Sequence, residues 1–184
     1  MQTELVAKAR GGDREAFASL AAGSVDRLYR LARLILRDVD LAEDAVQETL
    51  VSAWRSLPTL RDDARFDAWL YRLTVNACAE MGRHRRRWRA NVTVLVIEPN
   101  ESDQTSDVAD RDQLERGLRR LTDAQRTILA LHFFADLPMT EIAEVLDIPV
   151  GTTRSRVHYA LTALRAVLEA DERAQIQLDK ERTA

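Results

Sequence analysis

Apolar residues recur at three- and four-residue spacing in strings such as "DRLYRLARLIL" and "RTILALHFF", the period of amphipathic helices rather than of strands. The spacing predicts helices near 3–10, 13–22, 25–37, 40–56 and 66–88, and after a break near 112–120, from Thr122, from Thr140 and over 151–169. The punctuation agrees with this. Gly11 and Gly12 part the first two helices, Ser24 stands where it would cap the third, and Pro58 with the "RDDAR" loop ends the fourth. Thr122 and Gln125 have the spacing of a capping box. One stretch departs from the pattern. "NVTVLVI", residues 91–97, is apolar and β-branched, and reads either as a short extended segment or as a continuation of the helix before it.

The pattern fades between Glu98 and Asp112, where a proline, small polar residues and the acids Glu98, Glu101, Asp103, Asp107, Asp110 and Asp112 leave little to bury. The segment reads as a linker. The fold class expected is all-α, with two small helical domains, 1–90 and 113–170, joined by an acidic flexible linker over 91–112. A polar tail, 171–184, is expected to fray.

Each helix sorts its residues onto faces. In "DLAEDAVQETLVSAWR", Ala42, Val46, Thr49, Leu50, Ala53 and Trp54 share one side and Glu43, Asp44, Gln47, Glu48 and Ser52 another. In "RFDAWLYRLTVNACAEMGRHRRRWR", the stripe Phe66, Trp69, Leu70, Leu73, Ala77 and Met81 predicts burial, while Arg72, Asn76, Arg83 and Arg87 recur on a polar face. "MTEIAEVLDIPVGTTRSRVHYALTALRAVL" has the order short helix, tight break, longer helix, which is a helix-turn-helix. Ile142, Ala143 and Leu146 face inward from the first helix, and Val157, Ala160, Leu161, Leu164 and Leu168 from the second. That leaves Thr152, Ser155, Tyr159 and Thr162 outward, with Arg154, Arg156 and His158 on the flanks: a surface of hydroxyls and guanidinium groups suited to base edges and phosphates in a major groove. Asp147 occupies the turn, where a left-handed backbone is expected, and Pro149 prevents the two helices from fusing.

Charge sharpens the picture. The 184-residue chain has a formal net charge of -3, yet Arg83, Arg85, Arg86, Arg87 and Arg89 crowd into "MGRHRRRWR". Cations favour a helix C-terminus, but so dense a run points further, to a phosphate backbone. The acidic stripe has a basic helix as its natural complement. The other classes lack their parts. His84, His132 and His158 show no paired spacing, and no phosphate-binding glycine loop or nucleophile elbow is present, so no enzyme, cofactor or metal is expected. Cys78 stands alone and reads as a core residue, and His132 as a helix residue tucked beside the core. With no apolar leader and no membrane-spanning run, a cytoplasmic protein is expected.

In this order the segments resemble the extracytoplasmic-function (ECF) group of bacterial sigma factors, specificity subunits of RNA polymerase, over nearly the whole chain. "LAEDAVQETLVSAWR" is similar to that family's polymerase-binding helix, "FDAWLYRLTVNACAEMGRHRRR" to its promoter-melting and minus-ten helix, and "MTEIAEVLDIPVGTTRSRVHYAL" to its minus-thirty-five reader. The resemblance implies a four-helix, winged-helix-like second domain, and it implies roles. Glu43, Asp44, Gln47 and Glu48 would dock on the coiled coil of the largest subunit of core RNA polymerase. Arg61, Asp62 and Asp63 in the loop, with Arg72, Asn76, Arg83, Arg86 and Arg87, would serve the minus-ten element, and Thr152, Arg154, Ser155, Arg156, His158 and Tyr159 the minus-thirty-five element. The acidic linker resembles the segment that threads through polymerase. Promoter DNA and an anti-sigma factor covering the docking face are the further partners implied, with a monomer as the free form. The chain departs from the family at Asp62 or Asp63 and at Asp147, where glycine is common, and at Tyr159, where arginine is frequent. A stand-alone helix-turn-helix regulator that binds an operator without polymerase is the alternative.

Overall fold

The computed structural model describes the backbone of residues 2–91 and 108–183, and the side chains of 2–87, 113–171 and 173. The expectations for residues 92–107, which include the rest of the β-branched stretch and most of the acidic linker, lie outside the described residues. So do those for the side chain of Arg89.

The first half comprises α1 (Gln2–Arg10), α2 (Arg14–Ala22), α3 (Val25–Leu36), α4 (Val39–Ser56) and α5 (Phe66–Asn91); the second comprises α6 (Val108–Arg120), α7 (Asp123–Leu129), α8 (Met139–Leu146) and α9 (Val150–Thr183). Local chemistry explains most ends. Asp13 Oδ1 accepts from the amides of Glu15 and Ala16 to start α2, and Asp38 Oδ1 accepts from Leu41 N at 3.1 Å to start α4. The capping box at α7 is complete: Gln125 N donates to Thr122 Oγ1 at 3.3 Å, and Thr122 N donates to Gln125 Oε1 at 2.9 Å. Ser24 precedes α3 but makes no cap bond with its side chain, because its hydroxyl accepts from Arg27 Nη2 at 3.0 Å instead.

Two boundaries differ from expectation. Residues 108–112, read as linker, belong to α6. Past residue 170, where fraying was expected, α9 continues to Thr183. Asp171 pairs with Arg116 at 3.7 Å and Arg120 at 3.1 Å, which ties the helix to α6 beyond its apolar stripe, and within α9 Glu169 pairs with Arg173 at 3.8 Å. Gly117 brings α6 onto α9: a Cβ there would sit 2.9 Å from Leu168 Cδ2 and 3.0 Å from Leu164 Cδ1. Between α7 and α8, residues Ala130–Phe134 form a π-helical turn, closed by Ala135 N donating to Ala130 O at 3.0 Å.

α4 packs along α5 and α3 in the first half, and α9 gathers α6, α7 and α8 in the second. No strand occurs among the described residues, so the second half is the four-helix form of the expected helix-turn-helix unit. The halves are in contact: α8 lies against α5, and α7 against α3. A single apolar cluster runs from Leu28, Leu31 and Leu36 through Leu70 to Ile128, Leu131 and Ile142. No helix among the described residues is long and apolar enough to cross a membrane.

Candidate nucleic-acid and protein interfaces

The helix-turn-helix is built as its pattern demands. Ile142, Ala143, Val145, Thr153, Val157 and Ala160 are buried, while Leu146, Leu161, Leu164 and Leu168 are half-buried. Asp147 takes the left-handed conformation at φ 52 and ψ 51 and closes α8, accommodating without glycine the turn predicted for it. Arg154, Ser155, Arg156, His158, Tyr159 and Thr162 are exposed on one side of α9, and Thr152 is half-buried. Tyr159 is 67% exposed, with its ring edge-on to His158 at 5.8 Å. The hydroxyl of Ser155 is turned back, donating to Thr152 O at 3.0 Å, which leaves the two arginines, the imidazole and the phenol as the groups that project furthest.

On α4, the faces divide as expected, with Ala42, Ala45, Val46, Thr49 and Ala53 buried and Glu43, Asp44, Gln47 and Glu48 exposed. Trp54 departs from its predicted burial: it is 37% exposed and covers Phe17 of α2, ring centroids 5.0 Å apart. Among the described residues Glu43, Asp44 and Glu48 form no ion pair; Glu48 accepts from Ser52 Oγ at 3.0 Å.

Along α5, Phe66, Leu70 and Ala77 are buried and Trp69, Leu73 and Met81 half-buried, with Tyr71, Thr74, Val75 and Cys78 completing the inner face. Burial pushes the Cys78 thiol up to about 12, which makes it a poor nucleophile. Arg72, Asn76, Arg83 and Arg87 are exposed, and Arg72, Arg83 and Arg87 form no ion pair among the described residues. Arg61 is exposed, and Asp62 is occupied in capping the turn, accepting from Ala64 N at 2.9 Å. Asp63 pairs with Arg10 of α1 at 2.9 Å.

The expected phosphate ligands thus separate into two sets. Arg86 pairs with Asp123 of α7, and Arg85 reaches back to the end of α3, donating to Leu36 O at 3.3 Å and pairing with Asp38 at 3.6 Å. Sequence reasoning missed Arg126, which is only 6% exposed. Its Nε donates to Ile35 O of α3 at 2.8 Å, its Nη1 to Leu118 O at 3.3 Å and to Leu121 O, and its Nη2 to Asp123. Desolvation lowers the pKa of this guanidinium from its ordinary value, and Asp123 opposes the shift. The signal available was a lone arginine three and four residues before Leu129 and Ala130, on what is otherwise an apolar stripe. His132 is half-buried, as expected, its ring 4.6 Å from that of Phe133. Among the described residues no cluster of His, Cys, Asp or Glu could hold a metal.

The comparisons with known proteins agree with this geometry. Residues 22–90 match the family model for Sigma-70 region 2, and residues 117–166 that for Sigma-70, region 4. The chain is 33% identical to the ECF RNA polymerase sigma factor SigM of Mycobacterium tuberculosis, over 90% of this chain and 83% of that protein. It is 31% identical to the RNA polymerase sigma-H factor of Pseudomonas aeruginosa, over 90% and 93%. Among solved structures, CnrH in complex with the cytosolic domain of CnrY is similar at 29% identity and a TM-score of 0.68, over 92% of this chain and 98% of that one. The sigma factor RpoE from Bartonella quintana, solved with the anti-sigma factor NepR, shares the fold at 24% identity and a TM-score of 0.69, over 84% and 98%. The two Sigma-70 family models over residues 22–90 and 117–166, with relatives 31% and 33% identical over 90% of the chain, place it in the ECF family of RNA polymerase sigma factors.

Proposed function

We propose that the chain binds core RNA polymerase and directs promoter-specific transcription initiation, acting as a specificity subunit without catalytic chemistry of its own. The carrying observation is the separation of three solvent-facing surfaces, on α4, α5 and α9, over a chain that matches ECF sigma factors along most of its length. Glu43, Asp44, Gln47 and Glu48 dock on a basic helical element of polymerase, where charge complementarity sets orientation and on-rate. Arg154, Arg156, His158 and Tyr159, with Thr152 and Ser155, read the minus-thirty-five element from the major groove. Arg72, Asn76, Arg83, Arg86 and Arg87, with the loop at Arg61 and Asp62, engage the minus-ten element. Asp63, held by Arg10, positions the loop rather than touching a base.

Melting explains the need for polymerase. Each lost stacking step costs about 1.4 kcal/mol and an extruded base a few kcal/mol more, beyond what one arginine stripe on an acidic chain supplies. An anti-sigma protein that covers the α4 face is the regulatory partner this reading implies; the similar CnrH was solved in complex with a second protein, the cytosolic domain of CnrY. The test is run-off transcription with core polymerase, with and without the protein. Promoter-dependent transcripts are expected only with both; a footprint on duplex DNA by the chain alone, and no transcript with polymerase, would identify an operator-binding regulator instead.

A further inference from the structure

The loop assigned to the minus-ten element is held from outside the segment that matches the Sigma-70 region 2 model, which begins at residue 22. Two short turns flank its apex. Leu57–Thr59 closes with Leu60 N donating to Leu57 O at 3.0 Å, and Asp63–Arg65 with Arg65 N donating to Asp62 O at 3.1 Å. Each of these bonds stays within its own turn. The guanidinium of Arg10, the last residue of α1, bridges the two: its Nη1 donates to Leu60 O at 3.1 Å and lies 2.9 Å from Asp63 Oδ1. At the other end of α1, Gln2 Nε2 donates to Asp67 Oδ1 at 2.9 Å, just after the loop enters α5. Between these contacts Val6 and Ala9 are buried, so α1 lies against the loop as a strut with a polar hold at each end.

Arg61 and Asp62, the exposed residues between the turns, are thereby fixed on both sides by one side chain. Resting on the proposed sigma function, we infer that Arg10 is a positioning residue for minus-ten recognition: it sets the spacing of the two turns and so determines how Arg61 and Asp62 meet an extruded base. Arg10 reads nothing itself, since its Nη1 is engaged by the Leu60 carbonyl and the Asp63 carboxylate. An unheld loop would lose its backbone freedom only when the base arrives, a cost added to that of extruding the base. A loop ordered beforehand avoids that cost, and a fixed shape separates a base that fits from one that does not. The contact is sheltered enough to persist, because the Asp63 side chain is only 16% exposed and that of Arg10 38%. A merely structural tie would weaken the fold without favouring one promoter element over the other.

The test is competitive run-off transcription by core polymerase carrying the full chain. One set of templates differs at single minus-ten bases, and a second set differs in the minus-thirty-five element. Arg10→Ala is expected to reduce discrimination across the first set about tenfold, and to leave the second set and the equilibrium binding of core polymerase unchanged. Arg10→Lys, whose ammonium still reaches both acceptors, is expected to restore most of the loss. Asp63→Asn is expected to show a smaller loss in the same set, and to add nothing when combined with Arg10→Ala, since both act through one contact. Circular dichroism checks that each variant keeps its helices. A folded Arg10→Ala protein with wild-type minus-ten discrimination would overturn the inference, as would an equal decline on both template sets, the mark of a general loss of structure. Should Arg10→Ala not fold, Asp63→Asn decides: a loss confined to the first set supports the inference, and none overturns it. A wild-type chain that gives no promoter-dependent transcript removes the sigma reading and this inference with it. A wild-type chain that selects promoters, beside an Arg10→Ala variant that selects them equally well, removes the inference alone.

Discussion

α4 and α5 run side by side and each carries a charged stripe, but the two stripes are used differently. The acids of α4 are left without ion pairs among the described residues, whereas α5 contributes Arg85 and Arg86 to contacts with α3, Asp38 and α7. An unpaired surface charge is ready for an external partner at no internal cost. A paired one must first be released. Exposed pairs are worth only about 0–1 kcal/mol each, so Arg86 is held loosely, while the enclosed Arg126 bonds tie α7 to the end of α3. The difference teaches that two neighbouring charged stripes can be left open or tied internally, according to what packs beside them.

Reversing the unpaired stripe should have the largest effect. Asp44→Arg with Glu48→Arg is expected to weaken core polymerase binding on the order of 100-fold, about 3 kcal/mol, as read by equilibrium binding, with the stability of the free chain unchanged. Equal retention of polymerase by the variant would end the docking assignment for α4. On the paired side, Arg126→Ala leaves the carbonyls of Ile35, Leu118 and Leu121 without this donor and should cost about 2–3 kcal/mol in denaturant unfolding. A loss no greater than that from Arg72→Ala, an exposed arginine without an ion pair among the described residues, would show that the Arg126 bonds contribute nothing.

Arg154→Ala sharpens the contrast from outside both stripes. It should reduce discrimination between promoter variants about tenfold, roughly 1.4 kcal/mol, in competitive run-off transcription, while core binding stays at the wild-type level. Gly117→Ala, which crowds Leu164 and Leu168, should destabilise the second half by about 1 kcal/mol, visible as a lower thermal midpoint. The smallest effect concerns Cys78, under the α5 stripe. Its folded pKa is raised from about 8.5, so the stability associated with the neutral thiol is fully present below that value and is lost as pH rises toward about 12. Alkylation of the native protein at pH 8 should be much slower than in urea, and equal rates would place Cys78 at the surface.

Most of the fold was legible because helices are local objects. Periodicity, the Thr122–Gln125 box, the Asp147 turn and Pro58 all act within a few residues, and the structure agrees at each. The predictions that slipped were those governed by neighbours: Ser24 lost its capping role to Arg27, Trp54 turned outward over Phe17, and α9 outran its apolar stripe because Asp171 found two arginines on α6. The candidate surfaces were legible for the same reason as the helices, since a face is a consequence of period. The Asp63–Arg10 pair was not, because Arg10 lies in the first helix, far earlier in the chain.

By itself the sequence determined where the helices run, how they end and which side of each is polar, since all of these follow from interactions no longer than a helical turn. The tertiary structure alone decided which polar groups meet: Arg86 with Asp123 across 37 residues, Arg65 with Glu144 across 79, and Arg126 with the Ile35 carbonyl across 91. Nothing local selects such partners. They are set by how the apolar faces of the helices pack, and that packing is what brings an arginine from one half of the chain to a carbonyl in the other.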